Sequence, residues 1–214
     1  MLITSVINTP NKPLSYTNTR SVYSREKRFQ QTKNTIETVK QKIPNCQIII
    51  VECSDLTDEE NEYLKGNCDH VLNLWEKEEL RNKIFSNSKS WGEGTQTIFS
   101  LKYIKEKQIK FENFFKISGR YWINKQFCFD NFNNKNLVCK KDRYGTPYTF
   151  LYKLHYSQIE PWLNFLISHE SDMIKCIGFE SLFNKFLSNF QNVSVVKRLN
   201  VSGYISVSGY LLKV

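Results

Sequence analysis

The run Glu112 to Asn124 reads E-N-F-F-K-I-S-G-R-Y-W-I-N, an apolar, strand-like stretch that breaks at Ser118-Gly119-Arg120. Glycine lets a backbone approach an anion closely, and a fixed guanidinium offers paired hydrogen bonds to phosphate oxygens. The chemistry this triplet suits is therefore the binding and stabilisation of an oxyanion. The plainer alternative for Arg120 is an ion pair with a surface carboxylate. Upstream, Ser88-Lys89-Ser90-Trp91-Gly92-Glu93-Gly94-Thr95 reads as a small, polar, glycine-punctuated loop leading into a helix over Thr97 to Lys107. Its Gly-x-Gly lacks the spacing of a dinucleotide or P-loop fingerprint, so shaping a turn is its plainer reading.

These residues must be positioned by the elements around them. Met1 to Ile7 and Gln47 to Val51 are Ile/Val-rich and read as buried strands. Between them Ser24 suits an N-cap, and Phe29, Thr32, Ile36, Val39 and Ile43 recur at helical spacing until Pro44. The order strand, helix, strand implies a parallel crossover. An acidic helix over Thr57 to Leu64, a strand over Asp69 to Leu74, a charged helix or ordered loop over Glu76 to Phe85 and a strand over Phe114 to Ile117 continue the alternation. Beyond Phe127 the pattern changes to strands at Leu137 to Lys140 and Tyr148 to Leu154, joined by the turn-rich Asp142 to Gly145. Amphipathic segments at Ile159 to Ile167 and Glu180 to Phe190 follow, then Val193 to Lys197 and a glycine-punctuated tail. Strand ends in such a sheet converge on one edge. There Asn8 to Arg28, Glu52 to Asp55, Ser88 to Thr95 and Ser118 to Tyr121 should bring Arg20, Arg25, Arg28, Lys89 and Arg120 around two acidic positions. Such a mouth suits a ligand with a polar base and a diphosphate. Asp55 has a second reading, as N-cap of the helix near Thr57.

The 214 residues fit one domain, and a net charge of +9 favours an anionic partner without saying which. Six cysteines show no C-x-x-C pair, and Cys53, Cys128 and Cys139 sit in apolar runs where free thiols are buried. That pattern, the lack of a secretory h-region and the lack of an 18-residue apolar run lead to the expectation of a soluble cytoplasmic protein.

Val51-Glu52-Cys53-Ser54-Asp55 resembles the V-D-D-G-S-x-D loop with which GT-A-type glycosyltransferases hold a nucleoside. Arg20 to Arg25, Arg28 to Thr32, Lys116 to Tyr121 and Gly203 to Gly209 resemble segments of sugar transferases encoded by large DNA viruses and phages. The resemblance implies an α/β fold, a GT-A (Rossmann-like) mixed sheet with flanking helices, in one domain over 1–214. About 1–125 would be the nucleotide-sugar half and about 126–214 the acceptor half. It implies transfer of a sugar, from a UDP-sugar donor above others, to a hydroxyl of a glycan or glycoprotein acceptor in the cytoplasm, or the host cytoplasm for a viral protein. Nucleic acid is not an expected partner, and oligomeric state stays open. Donor contacts are then expected from Asn8, Arg20, Arg28, Glu52, Ser54, Asp55, Lys89, Gly92, Ser118, Gly119 and Tyr121. The base of an inverting transfer falls on Glu180, in Gly178-Phe179-Glu180, with His155, Glu170 and Asp172 as alternatives. Glu180 has a second reading, as an acidic residue favoured by a helix N-terminus. His155 and Tyr156 are expected on the acceptor side, near Tyr144, Tyr148, Tyr152 and Trp162, which are equally what a core contains.

One departure from the family pattern matters. None of the six aspartates forms the Asp-x-Asp that would hold Mg²⁺ or Mn²⁺, and Ser118-Gly119-Arg120 stands in its place. Arg120 then replaces the ion at the leaving diphosphate. Use of Mn²⁺ or Mg²⁺ stays open, with no metal residues assigned, because the three histidines show no ligand spacing. A domain that binds a nucleotide sugar without turning it over, and a basic nucleic-acid-binding protein, are the alternatives.

Overall fold

Local rules set the first half of the chain. A computed structural model describes residues 1–133 and 135–214. The early apolar runs form β1 (Leu2–Thr4), β2 (Ile49–Glu52) and β3 (His70–Asn73), paired in parallel. Between them lie α1 (Arg25–Lys42) and α2 (Asp58–Asn67). The Ser24 hydroxyl accepts from the Lys27 N–H to cap α1, which stops at Ile43, before Pro44, as the residue preceding a proline must. At α2 the capping role falls to Thr57 and not Asp55. Thr57 accepts from the Glu60 N–H while the Glu60 carboxylate accepts from the Thr57 N–H, a reciprocal box that leaves Asp55 outside the helix.

The charged segment after β3 is helical as α3 (Glu78–Ile84). The expected loop at Ser88 to Thr95 is instead the first turns of α4 (Lys89–Glu106), capped by the Ser88 hydroxyl on the Trp91 N–H. Its glycines serve close helix packing. A Cβ on Gly92 would meet the Ile84 carbonyl oxygen at 2.8 Å, and one on Gly94 would meet Met173 Sδ at 2.2 Å.

Next come β4 (Asn113–Ser118), β5 (Tyr121–Ile123), β6 (Leu137–Cys139), β7 (Leu151–His155), α5 (Ile159–Ser168), α6 (Glu170–Ile174), α7 (Phe179–Leu187), β8 (Val193–Val195), β9 (Val201–Tyr204) and β10 (Leu211–Lys213). The main sheet runs β3-β2-β1-β4-β7-β6-β8 and is mixed: β7 is antiparallel to both β4 and β6, and β8 is parallel to β6. A small antiparallel sheet, β10-β9-β5, forms separately. Because β4 pairs with β7, the two halves of the chain share one sheet and one α/β domain of Rossmann-like type.

Alternate residues of each strand enter opposite cores. Leu2, Ile49, Phe114 and Leu154 pack with α4, α5 and α7, around Trp162 and Phe183. Ile3, Ile50, Phe115 and Leu151 pack with α1 and the small sheet. Tyr152 and Trp162 are fully buried, joined by the Trp162 indole N–H donating to the Tyr152 hydroxyl at 3.2 Å, so these two belong to the core reading. All six cysteines are free thiols; Cys53 and Cys139 are buried as expected, whereas Cys128 is exposed, since it precedes a short 3-10 turn at the surface. Among the described residues, no helix is long and apolar enough to cross a membrane.

Candidate functional site

From β1 the chain steps outward to β2 and β3 and then returns past β1 to β4 on its other side, so the strand order reverses at β1 and a crevice opens beyond its C-terminal end. A cleft of about 150 Å³ lies there, lined by Ser5, Arg28, Lys89, Glu93, Gln96, Ser118, Gly119, Arg120, Thr149 and Glu180 among others. The segment that carries Arg120 is fixed from α1 by three threonines one turn apart. Thr32 donates to the Gly119 carbonyl (3.2 Å), Thr35 to the Tyr121 carbonyl (2.7 Å), and Thr38 accepts from the Ile123 N–H (3.1 Å). A side chain at Gly119 would meet Ser5 Cβ at 3.1 Å and Thr32 Oγ1 at 3.3 Å, so this turn lies flat on α1 and β1. Gln96 of α4 donates to the Ser5 carbonyl at 2.7 Å and holds the end of β1 from the other face.

Arg28 is 5% exposed. Its guanidinium donates to the Val6 carbonyl (2.5 Å) and the Ser206 hydroxyl (3.2 Å), and among the described residues it makes no ion pair. Burial, and then the charge of Arg120, push it down to about 9, which leaves it protonated at neutral pH. Arg120 donates Nε–H to the Tyr204 carbonyl at 3.3 Å and likewise makes no ion pair among the described residues, so the surface-pair reading does not describe it. Glu52 is close enough to act on Arg28, but neither cation has a carboxylate in direct contact among the described residues, and an anion between them completes the charge balance.

The opposite wall carries the negative groups. Glu180, at the start of α7, accepts from the Thr149 hydroxyl at 3.0 Å and lies 3.6 Å from Lys89 Nζ. Burial pushes its carboxyl up, but Lys89, its own backbone N–H and Thr149 outweigh that and hold it below the usual carboxylate range. Lys116, fully buried in β4, donates to Glu93, to Ser118 Oγ (3.0 Å) and to the Thr149 carbonyl (3.0 Å). Burial pulls its pKa down against the opposing charge of Glu93. The pair was not among the expected site residues. Its signal was a lysine inside the apolar run F-F-K-I, since a charge buried in a strand must be paired.

Several expected donor contacts have other occupations. Arg20 donates to the carbonyls of Lys12, Ile84, Phe85 and Ser86, closing the C-terminal end of α3. Arg25 is paired with Glu60 (2.5 Å) and Asp55 (3.5 Å). Glu52 is fully buried, its Oε1 accepting from the Ile7 N–H, the Cys53 N–H and the Ser54 hydroxyl, and burial raises its pKa. Ser54 accepts from the Asn8 N–H, and the Asn8 amide donates to Asp55. This group ties the ends of β1 and β2 to each other. Gly92 lines the cleft through its backbone, and Tyr121 stacks on Phe150 at 4.4 Å.

His155 and Tyr156 are not at the cleft. β7 runs antiparallel to β4, so His155 sits opposite Asn113 at the far edge of the sheet, where Tyr156 packs on Phe111. Glu170 and Asp172 lie on α6, outside the cleft lining. Among the described residues no group of three His, Cys, Asp or Glu side chains converges as a metal site would require.

A second chamber of about 150 Å³ adjoins the first and shares Val6, Arg28, Lys89, Arg120 and Tyr121 with it. The class these features define is an α/β domain with a basic, bipartite cleft at the switch point of a mixed sheet. Comparison with known protein families and with characterised proteins gives no match.

Proposed function

We propose that the cleft is the donor site of a GT-A-type glycosyltransferase, with the diphosphate of a nucleotide sugar held by Arg28, Arg120 and Lys89. The observation that carries the reading is the buried Arg28 beside Arg120, neither in an ion pair among the described residues, at the sheet edge where α/β proteins bind ligands. Transfer needs positioning and charge stabilisation more than a covalent protein intermediate. In an inverting step the acceptor oxygen bonds to the anomeric carbon as Glu180 takes its proton. The sugar–phosphate bond breaks and its electron pair leaves on the phosphate, which the guanidinium groups stabilise. A phosphate that draws Lys89 towards itself also weakens the foremost of the influences that hold the Glu180 pKa low, leaving its backbone N–H, Thr149 and Lys116. Donor binding thereby makes Glu180 a stronger base. The acceptor is a glycan or glycoprotein hydroxyl.

The test is the thermal midpoint against UDP-, GDP- and CMP-sugars, with and without Mn²⁺, because a ligand specific to the native state raises it. A shift for one nucleotide family, lost in Arg120→Ala with folding intact, is the expected result. No shift with any donor, together with salt-sensitive binding of generic oligonucleotides, sinks the reading in favour of a nucleic-acid partner. Donor binding with no turnover identifies a catalytically silent domain.

A further inference from the structure

The two chambers of the cleft differ in chemistry. Arg28, Lys89 and Arg120 stand on the partition, with Glu93 and Glu180 on one side. The other side is walled by Leu14, Tyr16, Ile205 and Val207 together with Thr9, Arg20 and Ser206. An anion bound on the partition, with its reacting end towards Glu180, therefore directs its other end into a space that is more apolar than polar and carries the Tyr16 ring. That space is built from the two ends of the chain. The Val22 N–H donates to the Ser206 carbonyl (2.8 Å), the Ser206 hydroxyl donates to the Arg20 carbonyl (3.1 Å), and Arg28 reaches the same hydroxyl. A cation of the partition thus also fixes the wall.

Size and shape narrow the occupant. A closed apolar cavity of about 150 Å³ admits one six-membered ring such as benzene; this chamber has about that volume and opens to solvent on one side, so its walls embrace about one ring. Tyr16, 60% exposed at its rim, offers a ring face for stacking. At the loop after β2, where the family resemblance would seat the base, Glu52 and Ser54 are both fully buried and bonded to each other and to the β1 end, and the open pocket on that loop, lined by Ser54, Asp55 and Trp75, shares no residue with the cation-lined cleft. We propose that the chamber of Leu14, Tyr16, Ile205 and Val207 is the base subsite of the bound nucleotide and that it takes a single-ring base. This rests on reading the cleft as a nucleotide-sugar site.

Calorimetric titration of the full chain with inorganic pyrophosphate, UDP and GDP tests it. The expected result is that pyrophosphate binds, UDP binds at least about tenfold tighter, and GDP gains little over pyrophosphate. Val207→Trp, which fills the chamber, should bring UDP down to the affinity of pyrophosphate and leave pyrophosphate unchanged. Tyr16→Ala, at an exposed position, should weaken UDP about tenfold and carries the same test if the tryptophan variant fails to fold. Equal affinity for UDP and pyrophosphate, GDP matching UDP, or an undiminished preference for UDP in folded variants would overturn the base subsite while leaving the anion site standing. Failure of all three ligands to bind overturns the nucleotide reading itself.

Discussion

Lys116 is the residue whose energetics the cleft exposes most directly. It is fully buried, while the side chain of its partner Glu93 is 12% exposed and lines the cleft, so Lys116 has no water to fall back on and Glu93 has only what the cleft admits. Breaking such a pair from one side is far worse than removing both charges, because the survivor stays desolvated. Lys116→Met should lower stability by about 3 kcal/mol, and adding Glu93→Gln should restore a large part of it. Urea unfolding of the single and double variants checks this, and equal losses would mean that the pair is not the source. The wall residues Thr149 and Ser118 each accept a hydrogen bond from Lys116. This lysine therefore shapes the cleft wall without needing to touch a ligand.

At the scale of elements, α4 is the framework of the site: it turns Lys89, Glu93 and Gln96 to the cleft, with Gly92 at the border of that face against Ile84 and Gly94 packed on Met173. Helix propensity alone predicts that Gly92→Ala and Gly94→Ala each stabilise by up to about 1 kcal/mol. Packing decides otherwise at Gly92. The new Cβ would sit 2.8 Å from a backbone oxygen of Ile84, and backbone yields only by moving α3, a strain of about 1–3 kcal/mol. At Gly94 the obstacle is the flexible Met173 side chain, which can change rotamer. Gly92→Ala should therefore be the more destabilising of the two, measured by denaturant midpoints. It should also disturb ligand binding, since the α3 end is where Arg20 anchors the loop that walls the second chamber. The reverse order would mean that the α3–α4 contact relaxes freely.

Across the whole molecule the sheet holds a second buried lysine that the site does not use. Lys153 on β7 lies between Phe115 and Val138 of the adjacent strands and donates to the Lys135 carbonyl. Burial pulls it down to about 8, with Glu112 acting weakly the other way. Between about 8 and lysine's ordinary value of 10.5 the unfolded chain binds more protons than the folded one at this site, so its contribution to stability rises with pH. The buried thiols of Cys53 and Cys68, both pushed up to about 12 by burial, act oppositely, because there the folded state holds the extra protons. The difference between wild type and Lys153→Met isolates the lysine. Wild-type stability relative to the variant should rise by on the order of 2–3 kcal/mol from pH 8 to 10.5, and a difference independent of pH would show that Lys153 reaches water.

The sequence by itself determined what is local. Ser24 and Pro44 bounded α1, the Ile/Val runs marked the strands, and the polar break at Ser118-Gly119-Arg120 marked the edge that holds the cleft, because capping and hydrophobic periodicity act over a few residues. The same locality made the glycines of Ser88 to Thr95 read as a loop, since what they approach, Ile84 and Met173, lies on other elements. Only the tertiary structure decided which cations are free. Arg20 and Arg28 look alike in sequence, yet Arg20 commits its guanidinium to carbonyls more than sixty residues away while Arg28 stays buried beside Arg120 with no ion pair among the described residues. It also decided that β7 runs antiparallel, which carried His155 and Tyr156 to the far edge of the sheet. Strand direction and hydrogen-bond partnership are settled by packing between distant segments, and no short window of sequence encodes them.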